Sequence, residues 1–441
     1  MNQKLFLWFS LSLAIGLFAQ EQPKPFSLQE AVNYALENNK NIKNADLTIL
    51  AAKHQVWETS ALGLPQINGK VDYTFNVVRP IDVSALDPTD PFLFFFPKHS
   101  LSPSITLSQL IFDGGYIVGL QSNKVFLEIS KNAKDKTTNE VENSVINAYN
   151  NALLTKESIA ITKNNINVLK SNLEETTKIF ENGLTEEEDV EQLQLTLNSL
   201  EINLKNLETL FDISKGYVKI LLGLDPNTPI ALTDTLESLI ANHINLELIA
   251  NSHAITNNID YKIAANEAMS KQLEYKLEKS EQLPKVNAFL SSNYLGNSES
   301  FSNYFKPEQV WFFSTATGVS INFPIFSSFG AKAKRERKKV EWQVAENNLK
   351  LMEDQLLLDF KNAKTEYNLA IETYKNKEQN LALAEKIELK NTIKFKEGIA
   401  SSFDLRQAQT QLYSSQQDYL QSIIDVINKK AKLKNLLNLN N

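Results

Sequence analysis

Phe180-Glu181-Asn182-Gly183-Leu184-Thr185-Glu186-Glu187-Glu188-Asp189-Val190 is answered late in the chain by Phe395-Lys396-Glu397-Gly398-Ile399-Ala400-Ser401-Ser402-Phe403-Asp404-Leu405. Each stretch places a Phe three residues before a Gly, and an Asp followed by an aliphatic residue six after it. The two lie 215 apart (398 − 183 and 404 − 189). Leu64-Pro65-Gln66-Ile67-Asn68 likewise returns as Leu283-Pro284-Lys285-Val286-Asn287, and Asn38-Asn39 as Asn257-Asn258, both at 219 (284 − 65 and 257 − 38). The offset falls by four between markers, so one loop of the second half is four residues shorter (219 − 215). That order and spacing make the chain a tandem duplication.

The segments flanking each Gly predict very long helices. No proline occurs between Pro103 and Pro226 or after Pro324, and after Gly330 the only glycine is Gly398. Tyr116 to Asn182 reads as one helix, on the order of 100 Å at 1.5 Å per residue. Val145, Ala152, Ile159, Ile166, Leu173 and Phe180 recur every seventh residue on the outgoing arm. Val190, Leu197, Leu204, Phe211 and Val218 do so on the return arm, with Leu193, Leu200 and Leu207 alongside. Leu405, Leu412, Tyr419, Val426 and Leu433 repeat that return seam at the same offset of 215 (405 − 190). Heptad spacing implies left-handed coiled-coil packing, and Gly183 and Gly398 fall where each arm must turn back.

Upstream of each hairpin the period changes to two. Ile67, Gly69, Val71, Tyr73, Phe75 and Val77 alternate with Asn68, Lys70, Asp72, Thr74 and Asn76, about the length of a tilted membrane-spanning strand. Further strands are predicted near 104–112, 286–295 and 311–326, the first following an insertion with Pro88, Pro91 and a phenylalanine run. Ser27 and Glu30 form a capping box that opens a helix with Ala31, Ala35 and Leu36 on one stripe. Its counterpart runs roughly from 246 to 281. Four strands per chain cannot close a barrel, and lipid tolerates no open edge, so a membrane role demands oligomerisation.

The 441 residues carry a net charge of −7 and no cysteine. Disulfides, thiolate metal sites and a cysteine lipid anchor are excluded, and nothing supports nucleic-acid binding. Lys4 followed by the apolar run 5–18 and Ala19 predicts a secretory signal over 1–19. No later stretch approaches the ~20 apolar residues of a spanning helix. His54, His99, His243 and His253 fall in no catalytic or zinc-binding spacing, and there is no phosphate-binding loop. Neither an enzyme nor a cofactor is expected. The run Lys332, Lys334, Arg335, Arg337, Lys338 and Lys339 reads as a solvated helix start, facing lipid phosphates or a tunnel. Two readings remain at this point, an export duct or a secreted periplasmic coiled-coil adaptor without a pore.

Leu28, Glu30, Ala31, Ala35, Leu36 and Asn39 resemble the opening of the TolC-like outer-membrane efflux family, with Lys40 where that family often has proline. The paired Leu-Pro, Ile111-Phe112-Asp113-Gly114-Gly115 and the two tip patterns resemble it as well, so the likeness covers nearly the whole mature chain. It implies a mainly α, α+β fold of a signal at 1–19, repeats at 20–225 and 246–441, and an equatorial linker at 226–245. It also implies a homotrimer whose four strands per chain close one shared twelve-stranded barrel in the outer membrane of a Gram-negative cell, above a periplasmic tunnel of helices. The expected partners are outer-membrane lipid, a periplasmic membrane fusion protein and an inner-membrane pump of RND, ABC or MFS type.

By resemblance Asp404 lies at the periplasmic entrance, where three-fold symmetry would make a ring of acids; as a first-turn acid it also suits a helix N-terminus. Gln407 stands where the family often has a second acid. Asp189, with Glu186, Glu187 and Glu188, makes an acidic patch at the other tip, equally read as helix-start charge. Gly183, Leu184, Thr185, Gly398, Ile399 and Ala400 are candidates for docking the fusion protein. Phe92, Phe94, Phe95, Phe96, Trp311, Phe312 and Phe313 fit an aromatic girdle or lid, or a loop packed on itself.

Overall fold

A computed structural model describes residues 23–79, 90, 92, 95–244 and 255–437. The expected signal, Pro88, Pro91, Phe94, His253 and the start of the helix expected from 246 lie outside them. By compactness the chain falls into two units. One comprises 1–39, 141–246 and 366–431; the other comprises 40–140, 247–365 and 432–441. Each sequence repeat contributes to both.

In the first unit a short strand β1 (Lys24–Phe26) leads into helix α1 (Leu28–Asn38). The capping box is present: the Ser27 amide donates to Glu30 at 2.8 Å and the Glu30 amide to Ser27 Oγ at 3.3 Å. The sequence suggested one continuous helix here. Instead Asn39, with ψ at 134°, ends α1, and α2 (Lys40–Ala61) begins anew.

Strands β2 (Gln66–Phe75) and β3 (His99–Phe112) follow in the second unit, then helix α3 (Gly114–Glu181) of 68 residues. Strand β3 begins before the expected Ser104, because it runs through Pro103. That residue pairs with Val71 of β2, and its missing N–H coincides with a gap in the ladder to the next strand between Leu101 and Ser104. Asp113 caps α3, accepting from the Gly115 amide at 2.6 Å. A Cβ on Gly114 would stand 2.8 Å from Leu283 Cδ1 and 3.0 Å from Ser280 Cβ. Glycine there lets the repeated Leu-Pro segment seat on the helix start.

Helix α4 (Glu187–Leu222) completes the first hairpin and ends at Gly223, in the left-handed region with φ 73°. The linker then forms strand β4 (Ile230–Leu232), parallel to β1, and helix α5 (Leu236–His243). The second repeat contributes α6 (Ile259–Ser280), β5 (Lys285–Ser298), β6 (Trp311–Asn322), α7 (Gly330–Lys396, 67 residues) and α8 (Ser402–Leu436). Strand β6 stops short of the expected Phe326, just before Pro324.

The heptad seams are where the hairpins pack. Ile166 and Leu169 of α3 meet Leu193 and Leu197 of α4, flanked by Leu173, Leu200 and Leu204. Each buried leucine removes apolar surface worth about 1.5–3 kcal/mol. The α3–α8 seam is more polar: Asn165 donates to Gln416 at 2.9 Å, and Asn150 to Asn428 at 3.3 Å.

Candidate pore wall and hairpin tips

Strands β2, β3, β5 and β6 form one antiparallel sheet in that order, leaving β2 and β6 as open edges. Its register sorts side chains onto two unlike faces. Ile67 opposes Leu107, Leu107 opposes Leu290, Ala288 opposes Val319 and Val286 opposes Ile321, which makes one face aliphatic. The other carries Asn68 beside Thr106, Lys70 beside Ser104, Thr106 beside Ser291 and Asn293 beside Ser314. Hydroxyls bond across it, Ser102 Oγ donating to Asn293 at 3.0 Å and Thr106 meeting Ser291 at 3.0 Å. Lys70 and Asp72 pair at 2.9 Å, so their charges balance. Such a sheet suits lipid on one side and water on the other.

Of the aromatic candidates, Trp311 and Phe313 lie on the aliphatic face, and Phe313 meets Tyr294 at 4.8 Å between centroids. Phe312, one residue out of phase, lies on the polar face opposite Leu295. Phe92 packs against Phe96 (5.2 Å) and Phe95 (6.4 Å), and Phe92 and Phe95 remain exposed. Phe94 lies outside the described residues.

The basic run after β6 is largely neutralised. Lys338 bridges Glu274 and Glu341, Lys334 pairs with Glu278 at 2.7 Å, and Arg337 pairs with Glu341. The start of α7 is thus tied to α6 rather than presented as a block of free cations.

At the tips, Gly183 and Gly398 adopt φ of 71° and 70°. The Gly183 amide donates to the Phe180 carbonyl and that of Leu184 to Ile179; Gly398 and Ile399 do the same to Phe395 and Lys394. Both arms therefore close in a Schellman turn, which requires the left-handed glycine. Leu184 and Ile399 follow it directly and are 78% and 75% exposed. Thr185 and Ala400 beside them are half-buried.

The duplicated acids are held differently. Thr185 Oγ1 donates to Asp189, whereas Asp404 forms a capping box with Ser401. The Ser401 amide donates to Asp404 at 3.1 Å, and the Asp404 amide to Ser401 Oγ at 3.2 Å. Those bonds from the Ser401 hydroxyl and amide hold the Asp404 carboxyl below its ordinary value. The Ser-x-x-Asp spacing was readable in the sequence as a cap. Gln407, one turn along, instead lines an open groove of about 430 Å³ with Phe403, Arg406 and Thr410, where the Arg406 guanidinium sits 5.4 Å from the Phe403 ring.

Among the described residues no group of acids and histidines is arranged to hold a metal, and no helix is long and apolar enough to cross a membrane.

No curated protein matches the sequence. Solved structures with the same fold include the Campylobacter jejuni CmeC outer membrane channel, at 14% identity and TM-score 0.75, covering 93% of this chain and 85% of that one. CusC, described through its folding and transmembrane channel formation, aligns at 16% identity and TM-score 0.74 over 93% and 91%. The outer membrane protein VceC from Vibrio cholerae gives 16%, 0.72, 93% and 95%. Residues 31–223 and 251–439, one stretch from each half of the duplication, both match the outer membrane efflux protein family. Both halves of the duplication thus carry the same assignment: the chain belongs to the outer membrane efflux protein family, as a passive channel and not an enzyme.

Proposed function

We propose that the chain is the exit duct of a tripartite efflux or type I secretion system, acting as a homotrimer. The observation that carries this is the sheet: four strands, two unlike faces and two unpaired edges. In lipid those edges must pair, and copies of the same chain supply the missing strands, closing a twelve-stranded barrel with the hydroxylated face inward. The hairpins then extend into the periplasm as a tunnel.

In this reading Leu184 and Ile399, with Gly183, Thr185, Gly398 and Ala400 around them, meet the fusion protein, which connects the duct to an RND, ABC or MFS pump. Exposed aliphatic side chains on rigid turns suit packing against helical hairpins of the partner. Asp404 and Gln407, with Asp189 on the other tip, stand at the entrance. Trp311 and Phe313 belong to the lipid-facing girdle, and Phe312 to the lumen.

Envelope fractionation tests the proposal. The duct requires detergent for extraction, migrates as a heat-modifiable trimer and forms pores in planar bilayers. A soluble monomer, the behaviour of a periplasmic adaptor, would overturn it.

A further inference from the structure

The two repeats pass from sheet to long helix in contrasting ways. In the first, Gly114 and Gly115 are sealed against Ser280, Leu283 and Glu281 of the same chain. At the corresponding place in the second repeat, between β6 and α7, stands Ile325-Phe326-Ser327-Ser328-Phe329. Ser328 and Phe329 both adopt left-handed backbone conformations, with φ of 49° and 63°. Two consecutive non-glycine residues in that region are disfavoured, because Cβ crowds the following carbonyl. Strain of this kind persists where the surroundings or a function hold it. Here it displays apolar side chains: Ile325 is 88% exposed, Phe326 76% and Phe329 72%. The Phe326 and Phe329 rings meet edge to face at 6.1 Å, forming one projecting knob.

The sheet register says what that knob faces. Gln66 opposes Ser108, Ser108 opposes Phe289 and Phe289 opposes Gly318, so those four residues form one row across the sheet. Three antiparallel steps make β6 run opposite to β2. The end of β6 and the start of β2 therefore lie at the same end of the sheet, on its two open edges. When edges of neighbouring copies pair, the residues after β6 of one copy meet the residues before β2 of the next. Those are Leu62 and Leu64, both exposed, followed by exposed Ile67 at the start of the strand. Two exposed apolar clusters are brought together by the closure that the edges require.

We infer that Ile325, Phe326 and Phe329 form an interlocking knob received by Leu62 and Leu64 of a second copy of this chain, and that the left-handed Ser328-Phe329 pair exists to aim it. The inference rests on the barrel reading above. Its occupant is a second copy, because only that partner brings the β2 edge to this end of β6.

The sequence has no cysteine, so Phe326→Cys and Leu64→Cys in one chain form the only thiol pair. The two positions lie on opposite edges of one sheet and cannot join within a chain. Oxidation of intact envelopes should give a ladder of dimers and trimers in denaturing gels, absent from either single variant. Phe329→Gly relieves the backbone strain while removing the ring. The knob predicts that its trimers dissociate at a lower temperature than the parent's; strain without a latch predicts an unchanged or higher temperature. A native-size trimer showing no cross-link, together with undiminished heat resistance of Phe329→Gly, overturns the latch and leaves the barrel standing. Absence of any oligomer in the parent chain overturns both.

Discussion

The side-chain amide of Asn39 donates a 2.7 Å hydrogen bond to the backbone carbonyl of Leu221, at the last turn of α4. Its duplicate, Asn258, donates to Leu436 at the last turn of α8, at 3.2 Å. Both asparagines are buried, and both bonds use carbonyls that a helix end leaves unpaired. The motif asparagine of each repeat thus fastens its opening helices to the end of its own return helix. Asn39→Ala strands the Leu221 carbonyl and should cost about 1–3 kcal/mol. Asn258→Ala should act in the same direction, and it also removes the N-cap of α6, where Asn258 Oδ1 accepts from the Asp260 amide at 2.8 Å. Thermal unfolding of the detergent-solubilised protein, compared with the parent, checks both.

Gly223 has φ at 73°, and a Cβ there would approach the Asn38 carbonyl oxygen to 2.5 Å. Gly223→Ala should therefore exceed the roughly 1–2 kcal/mol of a left-handed alanine. Gly183→Ala, where nothing beyond the adjoining residues lies within 4 Å of a Cβ, should cost only the conformational part. The comparison of their unfolding temperatures separates steric clash from backbone preference.

Tyr149 is fully buried, and its single hydroxyl proton is shared between the Phe26 carbonyl at 2.8 Å and Asp234 at 3.0 Å, while Asp234 also accepts from the Leu28 amide at 2.6 Å. This clasp ties the β1 end to the linker helix. Burial, the foremost cause, raises the Tyr149 hydroxyl well above its ordinary range, so it remains a donor in alkaline solution. Tyr149→Phe should destabilise by about 1–3 kcal/mol through the acceptors left behind. Hydrogen exchange of the Leu28 and Leu239 amides should report the loosening.

In the first hairpin Leu193 is buried and Leu195 exposed, two residues apart on α4. Leu193→Ala should cost about 2–5 kcal/mol by leaving a cavity. Leu195→Ala should stay within about 0.5 kcal/mol for the isolated chain. Gln409 of α8 supplies the opposite case. It is buried with neither side-chain amide atom hydrogen-bonded, so Gln409→Leu should stabilise, by about 1–3 kcal/mol. Urea unfolding of the three variants tests the ordering.

Asp404 gives a pH dependence. Its carboxyl is held below the ordinary 3.8 by Ser401, so the cap contributes fully above the unfolded value and is lost as pH falls through the lower folded one. Ser401→Ala should raise the Asp404 pKa, moving that acid-side loss to higher pH, and should leave neutral-pH charge unchanged. In bilayers, any cation preference owed to Asp404 should persist into acid in the parent and fade earlier in Ser401→Ala; Asp404→Asn should abolish it at every pH.

The sequence by itself determined the duplication, the hairpins with their glycine turns, the heptad seams and the two-faced strands. Each is written locally: a period of seven or two, a glycine at a left-handed position, a Ser27-Glu30 cap. It also held the Ser401-Asp404 cap, legible as a spacing yet overshadowed by the family role of the acid. Tertiary structure decided what depends on residues far apart in the chain. The parallel pairing of β1 with β4 joins three-residue strands too short to show a period. Alternation within the strand puts Phe312 and Phe313 on opposite faces, but which of them shares the aliphatic face follows from cross-strand register, which no single strand records. The pairing of the basic run with Glu274 and Glu278 needs α6 alongside α7. The left-handed Ser328-Phe329 pair lies furthest from sequence, because neither residue type favours the conformation and no local pattern announces it.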